Sequence, residues 1–233
     1  RYNFAYNQMV DDRFYKSNQS ADIGVRILTP YSDLDGKPET LRMLSLQEDN
    51  VLVQLPNDTT FLDEISECLK ISKFILKNSA SLAKSFDSIK RAKQDELADK
   101  KDRIRIFIEE AVKHAEVYVC GDKANIGAKD PQGKINEAMA KLVATKYSKL
   151  IYMETAPTVS DIDAIFRKSN QLSLTGTGES TVNRLALEDM QRVIEMNTVR
   201  HMKTSLKSLQ DKFSAAPYGF IELDVQWLVA MLF

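Results

Sequence analysis

The chain has 233 residues, 43% of them hydrophobic and 28% charged, a balance ordinary for a globular protein that argues against intrinsic disorder. Its 32 Lys and Arg against 33 Asp and Glu leave a formal net charge of −1, so no global field draws it to nucleic acid or to an acidic membrane. No apolar run reaches the roughly 20 residues of a membrane span, and there is no signal-peptide pattern.

Arg1 to Pro56 reads as β structure. Tyr2–Val10 and Arg13–Lys16 flank a turn at Asp11–Asp12, and Ile23–Leu28 (IGVRIL) is an apolar strand stopped by Thr29–Pro30. Tyr31–Glu39 carries Asp, Gly and Pro and reads as a loop. Leu41–Leu46 and Val51–Leu55, joined by Gln47–Asn50, give the signal of a hairpin. Pro56–Thr60 then breaks the strand and offers N-caps to a helix starting near Phe61.

From Phe61 to Val119 there is no Pro and no Gly, and the apolar residues recur at helical spacing. Leu62, Ile65, Leu69 and Phe74–Ile75 form one stripe; Leu82, Phe86 and Ile89 continue it; Ile104, Ile108, Ala111 and Ala115 resume it. Between them Lys90–Arg103 (KRAKQDELADKKDR) holds Leu97 as its one large apolar residue. A helix that loses its stripe midway is not buried there. The stretch at about 61–116 therefore reads as an exposed helical arm, either one straight helix or a hairpin.

Ala115–Cys120 (AEVYVC) returns to strand alternation, Gly121–Asp122 turns, and Lys123–Ile126 pairs back. Asp130–Pro131 opens a helix that ends near Tyr147, and Leu150–Met153 reads as a further short strand. After Thr155 the pattern is helical: Asp161–Lys168 capped by Ser160, Val182–Asn197, a helix capped by Thr204 or Ser205 and reaching Phe213, and Ile221–Phe233 after a turn at Pro217–Phe220. The expected fold class is α+β. A small, mainly antiparallel β body with its arm occupies 1–154 and a helical subdomain occupies 155–233, whose Met202–Phe233 end has the order of the first two helices of a winged helix. On that reading the recognition helix lies after Phe233, and both ends look like cuts from a larger protein.

Candidate chemistry is sparse. Leu174–Ser180 (LTGTGES) has the glycines of a phosphate loop, but Glu179 stands where the motif G-x-x-x-x-G-K-[ST] needs its Lys, so a connector is the better reading. His114 and His201 have no ligand-forming neighbours at useful spacing. Cys68 and Cys120 read as two reduced thiols, since a structural zinc site takes about four such ligands. No G-x-S-x-G elbow is present. In the arm, Lys90, Arg91, Lys93, Lys100, Lys101 and Arg103 outnumber the acids by two and form a candidate partner-docking face. Near the end, Arg200, Lys203, Lys207 and Lys212 are candidate phosphate contacts.

Tyr2–Tyr15 (YNFAYNQMVDDRFY), Ile23–Pro30 (IGVRILTP), Ala115–Asp130 (AEVYVCGDKANIGAKD), Ile135–Tyr152 (INEAMAKLVATKYSKLIY) and Lys207–Phe233, with its FSAAPYGF turn, together resemble an internal region of the BrxC/PglY family. These are the large P-loop ATPase-like proteins of bacterial BREX phage-resistance systems. The resemblance implies a cytoplasmic parent whose ATP and magnesium site lies upstream, and no cofactor, metal or catalytic residue in this segment. It implies protein subunits of a defence complex as partners, with DNA as a further one, no membrane, and room for an oligomer. Three readings follow: an interaction and coupling segment, a nucleic-acid-binding module using the basic C-terminal helices, and a nucleotide-dependent enzyme centred on the Gly loop.

Overall fold

The structure, a computed structural model, describes residues 2–16, 20–34, 36–78, 84–169 and 182–233. It divides into two compact units, Ala5–Leu142 and Val143–Phe233, the latter joined by Arg1–Phe4. The sequence pattern places this change at 154.

The first unit is built on a six-stranded sheet of order β2-β1-β3-β4-β5-β6. Its strands are β1 (Asn7–Val10), β2 (Arg13–Phe14), β3 (Gly24–Leu28), β4 (Asn50–Gln54), β5 (Glu116–Val119) and β6 (Asp122–Lys123). The three outer pairings, β1–β2, β4–β5 and β5–β6, are antiparallel. The two central ones, β1–β3 and β3–β4, are parallel. The α+β class holds, and the parallel centre is new.

The β3–β4 part of it arises because Leu41–Leu46 is not a strand. Pro38–Gln47 forms helix α1 with Pro in its first turn, and a helical crossover is what sets two consecutive strands parallel. Leu41 and Leu44, three apart, join Leu34 over Leu28, Leu52 and Tyr118 on one face of the sheet. Val51, Val53, Val117 and Val119 are buried on the other, where Val25 and Ile27 share a cavity of about 220 Å³ with Ile135. With both faces covered, the central strands are apolar on both sides, with Arg26 as the one charged residue in β3 and β4.

Arg26 fastens the strand ends together. Its Nε donates to the Asp11 carbonyl at 2.8 Å, and its guanidinium meets Asp12 and, at 3.3 Å, Glu48. The Asp11 carboxylate in turn accepts from the Thr29 backbone and hydroxyl at 2.8 and 2.9 Å. The β1–β2 turn and the α1–β4 turn are thus held to one buried cation.

Helices α2 (Thr60–Lys77) and α3 (Lys84–His114) separate β4 from β5, and α4 (Pro131–Lys146) follows β6. The compact units divide within α4. In the second unit Leu150–Tyr152 is a 3-10 turn rather than the expected strand. It is followed by α5 (Val159–Ser169), α6 (Arg184–Val199), α7 (Leu206–Ser214) and α8 (Glu222–Leu232). Ala186 and Met190 of α6, Leu209 and Phe213 of α7, and Val225, Trp227 and Leu228 of α8 share one core with Tyr218 and Phe220. Tyr2 donates to Asp224 at 2.8 Å and Phe4 stacks on Tyr147 at 4.7 Å, which ties the first residues to this unit.

Candidate interaction surfaces

The arm is a hairpin: α2 packs along α3, and the 31 residues of α3 span about 46 Å at 1.5 Å per residue. Asp58 starts α2 by accepting from the Thr60 backbone and hydroxyl at 2.9 and 2.6 Å. Along the seam Leu62, Ile65, Leu97, Ile104 and Ile108 are half-buried. Where the apolar stripe of α3 lapses, ion pairs fill the seam. Lys100 is buried there, donating to Glu64 at 3.0 Å and also to Glu67. Arg103 approaches Glu64 at 3.6 Å.

These contacts correct the sequence reading of the arm's cations. Lys100 is an internal cross-link and is not free to dock a partner. Arg103 is exposed but leans on the same carboxylate, and Lys93 pairs with Glu96 on its own helix at 2.6 Å. Lys90 is half-buried, while Arg91 and Lys101 are exposed. The arm also shows apolar side chains to solvent: Leu69, Leu76, Ile89 and Ile106.

The root of the arm is held by a residue the sequence reading passed over. Lys134 of α4 donates to the carbonyls of Lys113 and Ala115, at 2.8 and 2.6 Å. An ammonium at a helix C-terminus satisfies carbonyls left without partners and complements the helix dipole. Burial pushes the Lys134 pKa down. His114, in the last turn of α3, spends its Nδ1 on the Glu110 carbonyl at 2.9 Å.

Helices α6, α7 and α8 share one core, with the Pro217–Phe220 turn between α7 and α8. α8 is the helix that follows this turn. α8 (ELDVQWLVAML) carries two acids in its first turn and no Lys or Arg, and Val225, Trp227, Leu228 and Ala230 are buried. Its Gln226 donates to Glu222 at 3.0 Å. A helix that reads base edges presents Arg, Lys, Asn or Gln from its N-terminal turns, and α8 has little of that chemistry to offer.

The four basic candidates of this unit lie elsewhere. Arg200, Lys203, Lys207 and Lys212 sit on the end of α6, the α6–α7 connection and α7, all exposed. They do not join the network around the buried Asp189, which accepts from Lys149 at 2.5 Å, Tyr218 at 3.1 Å and Arg192 at 2.9 Å. Burial pushes the Asp189 carboxyl up, but the Lys149 and Tyr218 hydrogen bonds prevail and hold it below its ordinary value. That network is structural.

A cavity of about 440 Å³ opens beside the arm's root, lined by Gln54, Asn57, His114, Glu116 and Tyr118 among others. The Tyr118 hydroxyl donates to Glu116 at 2.7 Å; burial first, then that bond, pushes its pKa up to about 12. The phenol is thus a poor acid at neutral pH. Cys68 is buried and Cys120 half-buried, both as free thiols. Among the described residues no group of three His, Cys, Asp or Glu is placed to hold a metal, and no helix is long and apolar enough to cross a membrane. Leu174–Ser180 lies outside the described residues.

Two family models match the chain in succession. One, described as the fourth domain, with six-stranded beta sheet, of the BREX ATP-binding protein BrxC, matches residues 1–142. The other, described as the BrxC winged helix-turn-helix domain, matches residues 144–233. No solved structure matches the chain.

Proposed function

The chain belongs to the BrxC family of BREX ATP-binding proteins, and so to a phage-defence system; from that premise we propose that it is an interaction and coupling segment without a reaction of its own. The arm receives other protein subunits of the defence complex in the cytoplasm, and displacement of the arm is passed to α4. Nucleotide chemistry, with its ATP and magnesium, is assigned to another part of the parent.

The observation that supports this most directly is the double hydrogen bond from Lys134 to the end of α3. It joins the root of a long lever to α4, the helix within which the two compact units divide. A load on the exposed arm acts on that junction. In the full-length parent, replacing α2 and α3 by a short flexible linker is expected to preserve ATP binding while abolishing co-purification with the other BREX subunits and protection against phage. Undiminished protection would overturn the proposal.

A second reading, nucleic-acid binding, draws on the exposed Arg200, Lys203, Lys207 and Lys212 and on the winged-helix family match. Neutralising phosphates with these cations would make duplex binding fall steeply with salt. A salt titration with duplex DNA tests it: steep loss of affinity supports it, and no binding at low salt removes it.

A further inference from the structure

The segment Met196–Lys207 (MNTVRHMKTSLK) contains Arg200, Lys203 and Lys207 and no Asp or Glu, in a chain whose net charge is −1. Four large apolar side chains alternate with these cations and stand in water: Met196 is 45% exposed, Val199 80%, Met202 58% and Leu206 44%. They are not on a frayed end. The Arg200 and Met202 amides close the helix end on the Met196 and Asn197 carbonyls at 3.1 and 2.8 Å. Asn197 donates to Thr204 at 3.1 Å, and Ser205 and Ser208 cap each other at the start of α7. The corner presents a fixed, mixed surface.

We propose that this α6–α7 corner is a docking site for an acidic amphipathic helix of a partner protein. Phosphate backbone contact would use the three cations but leave Met196, Val199, Met202 and Leu206 in water. An apolar helix stripe flanked by Glu or Asp satisfies both sets, burying the apolar four while its carboxylates face the cations. Methionine, unbranched and polarizable, suits such a surface, and the fixed corner reduces the entropy lost on binding. The site extends the interaction reading to a surface separate from the arm, so its failure leaves the role of α2–α3 untouched.

The probe is a synthetic helical peptide of about 18 residues with a Leu stripe and Glu on its other faces, titrated against the full 233-residue chain by fluorescence anisotropy. The control has the same composition, shuffled to destroy the stripe, and is expected to bind about tenfold more weakly or worse. The paired substitutions Val199→Asp with Met202→Asp, and Lys203→Glu with Lys207→Glu, should each weaken peptide binding by at least about tenfold. All four positions are exposed, so the melting temperature is the control for folding. Equal binding of striped and shuffled peptides, or retention of affinity by the Asp pair, overturns the proposal. So does tighter binding of a DNA duplex that the Lys pair abolishes and the Asp pair leaves unchanged.

Discussion

Lys100 of α3 lies 3.0 Å from Glu64 of α2, and its side chain is only 10% exposed. With Glu67 on its other side, it closes the arm where α3 has no apolar residue to offer. A buried cation that loses its partners is costly, and so are carboxylates that lose their cation. Lys100→Glu would set three carboxylates against one another in the seam. The expected outcome is a clear fall in melting temperature and faster cleavage of α2 and α3 by protease. Lys101→Glu, one residue on and exposed, should change stability by no more than about 0.5 kcal/mol. Equal, negligible effects from both would show that the seam is not closed in solution.

The same pair makes the arm sensitive to acid. The hydrogen bond from Lys100, helped by the charge of Arg103, holds the Glu64 carboxyl below its ordinary 4.5 in spite of burial. Such a group contributes stability that is fully present above 4.5 and is lost as pH falls through its lower, folded-state value. Lys100, raised first by Glu67 and then by Glu64, acts in the opposite direction: its contribution is present below 10.5 and is lost above it, as pH rises through the folded value. Protection of the α3 amides, taken relative to the intrinsic exchange rate at each pH, should therefore fall as pH drops below 4.5, and Glu64→Gln should remove part of that dependence. An unchanged profile in the Gln variant would count against Glu64 as its source.

What the sequence made legible follows from the range of the interactions concerned. Ile23–Leu28 and Val51–Leu55 are buried on both faces, so their apolar-rich runs, broken only by Arg26 and Gln54, identify them without reference to neighbours. Leu41–Leu46 is equally apolar and about as short, and a run of that length does not separate strand from buried helix. The deciding residue was Pro38, placed in the preceding loop when it opens α1. With that helix goes the parallel β3–β4 pairing of the sheet. The charged neighbours of Lys100 in sequence point to a solvated side chain; its partners Glu64 and Glu67 lie 36 and 33 positions away, beyond any local pattern. At the α6–α7 corner both the cations and the apolar residues between them stand in the sequence, but only the fold shows that Met196, Val199, Met202 and Leu206 stay exposed.

Gly219 tests the turn between α7 and α8. Its φ is +69°, and a Cβ there would lie 2.7 Å from the Tyr147 ring, a ring that itself stacks on Phe4. Any other residue meets both left-handed strain, about 1–2 kcal/mol, and a clash with a packed aromatic. Gly219→Ala should lower stability by about 2–4 kcal/mol, combining that strain with overpacking. Restoring room with Gly219→Ala plus Tyr147→Leu should recover the steric part and leave the strain. Denaturant titration of the three chains separates the two contributions.

The last prediction concerns α8, on which the winged-helix unit closes. Leu228 is fully buried among Trp227, Val225, Phe213 and Met190, and α8 has apolar residues on nearly every side, as a helix enclosed by its neighbours does. Leu228→Ala removes three carbons and leaves a space that α5, α6 and α7, each packed against α8, are poorly able to fill together. The expected cost is roughly 2–5 kcal/mol, read from the shift of the unfolding midpoint at constant slope. Leu206→Ala, on the exposed corner, is the matched control and should fall within about 0.5 kcal/mol. A near-neutral Leu228→Ala would mean that α8 is not docked on α6 and α7, and the fixed corner proposed as a docking surface would then lack its support.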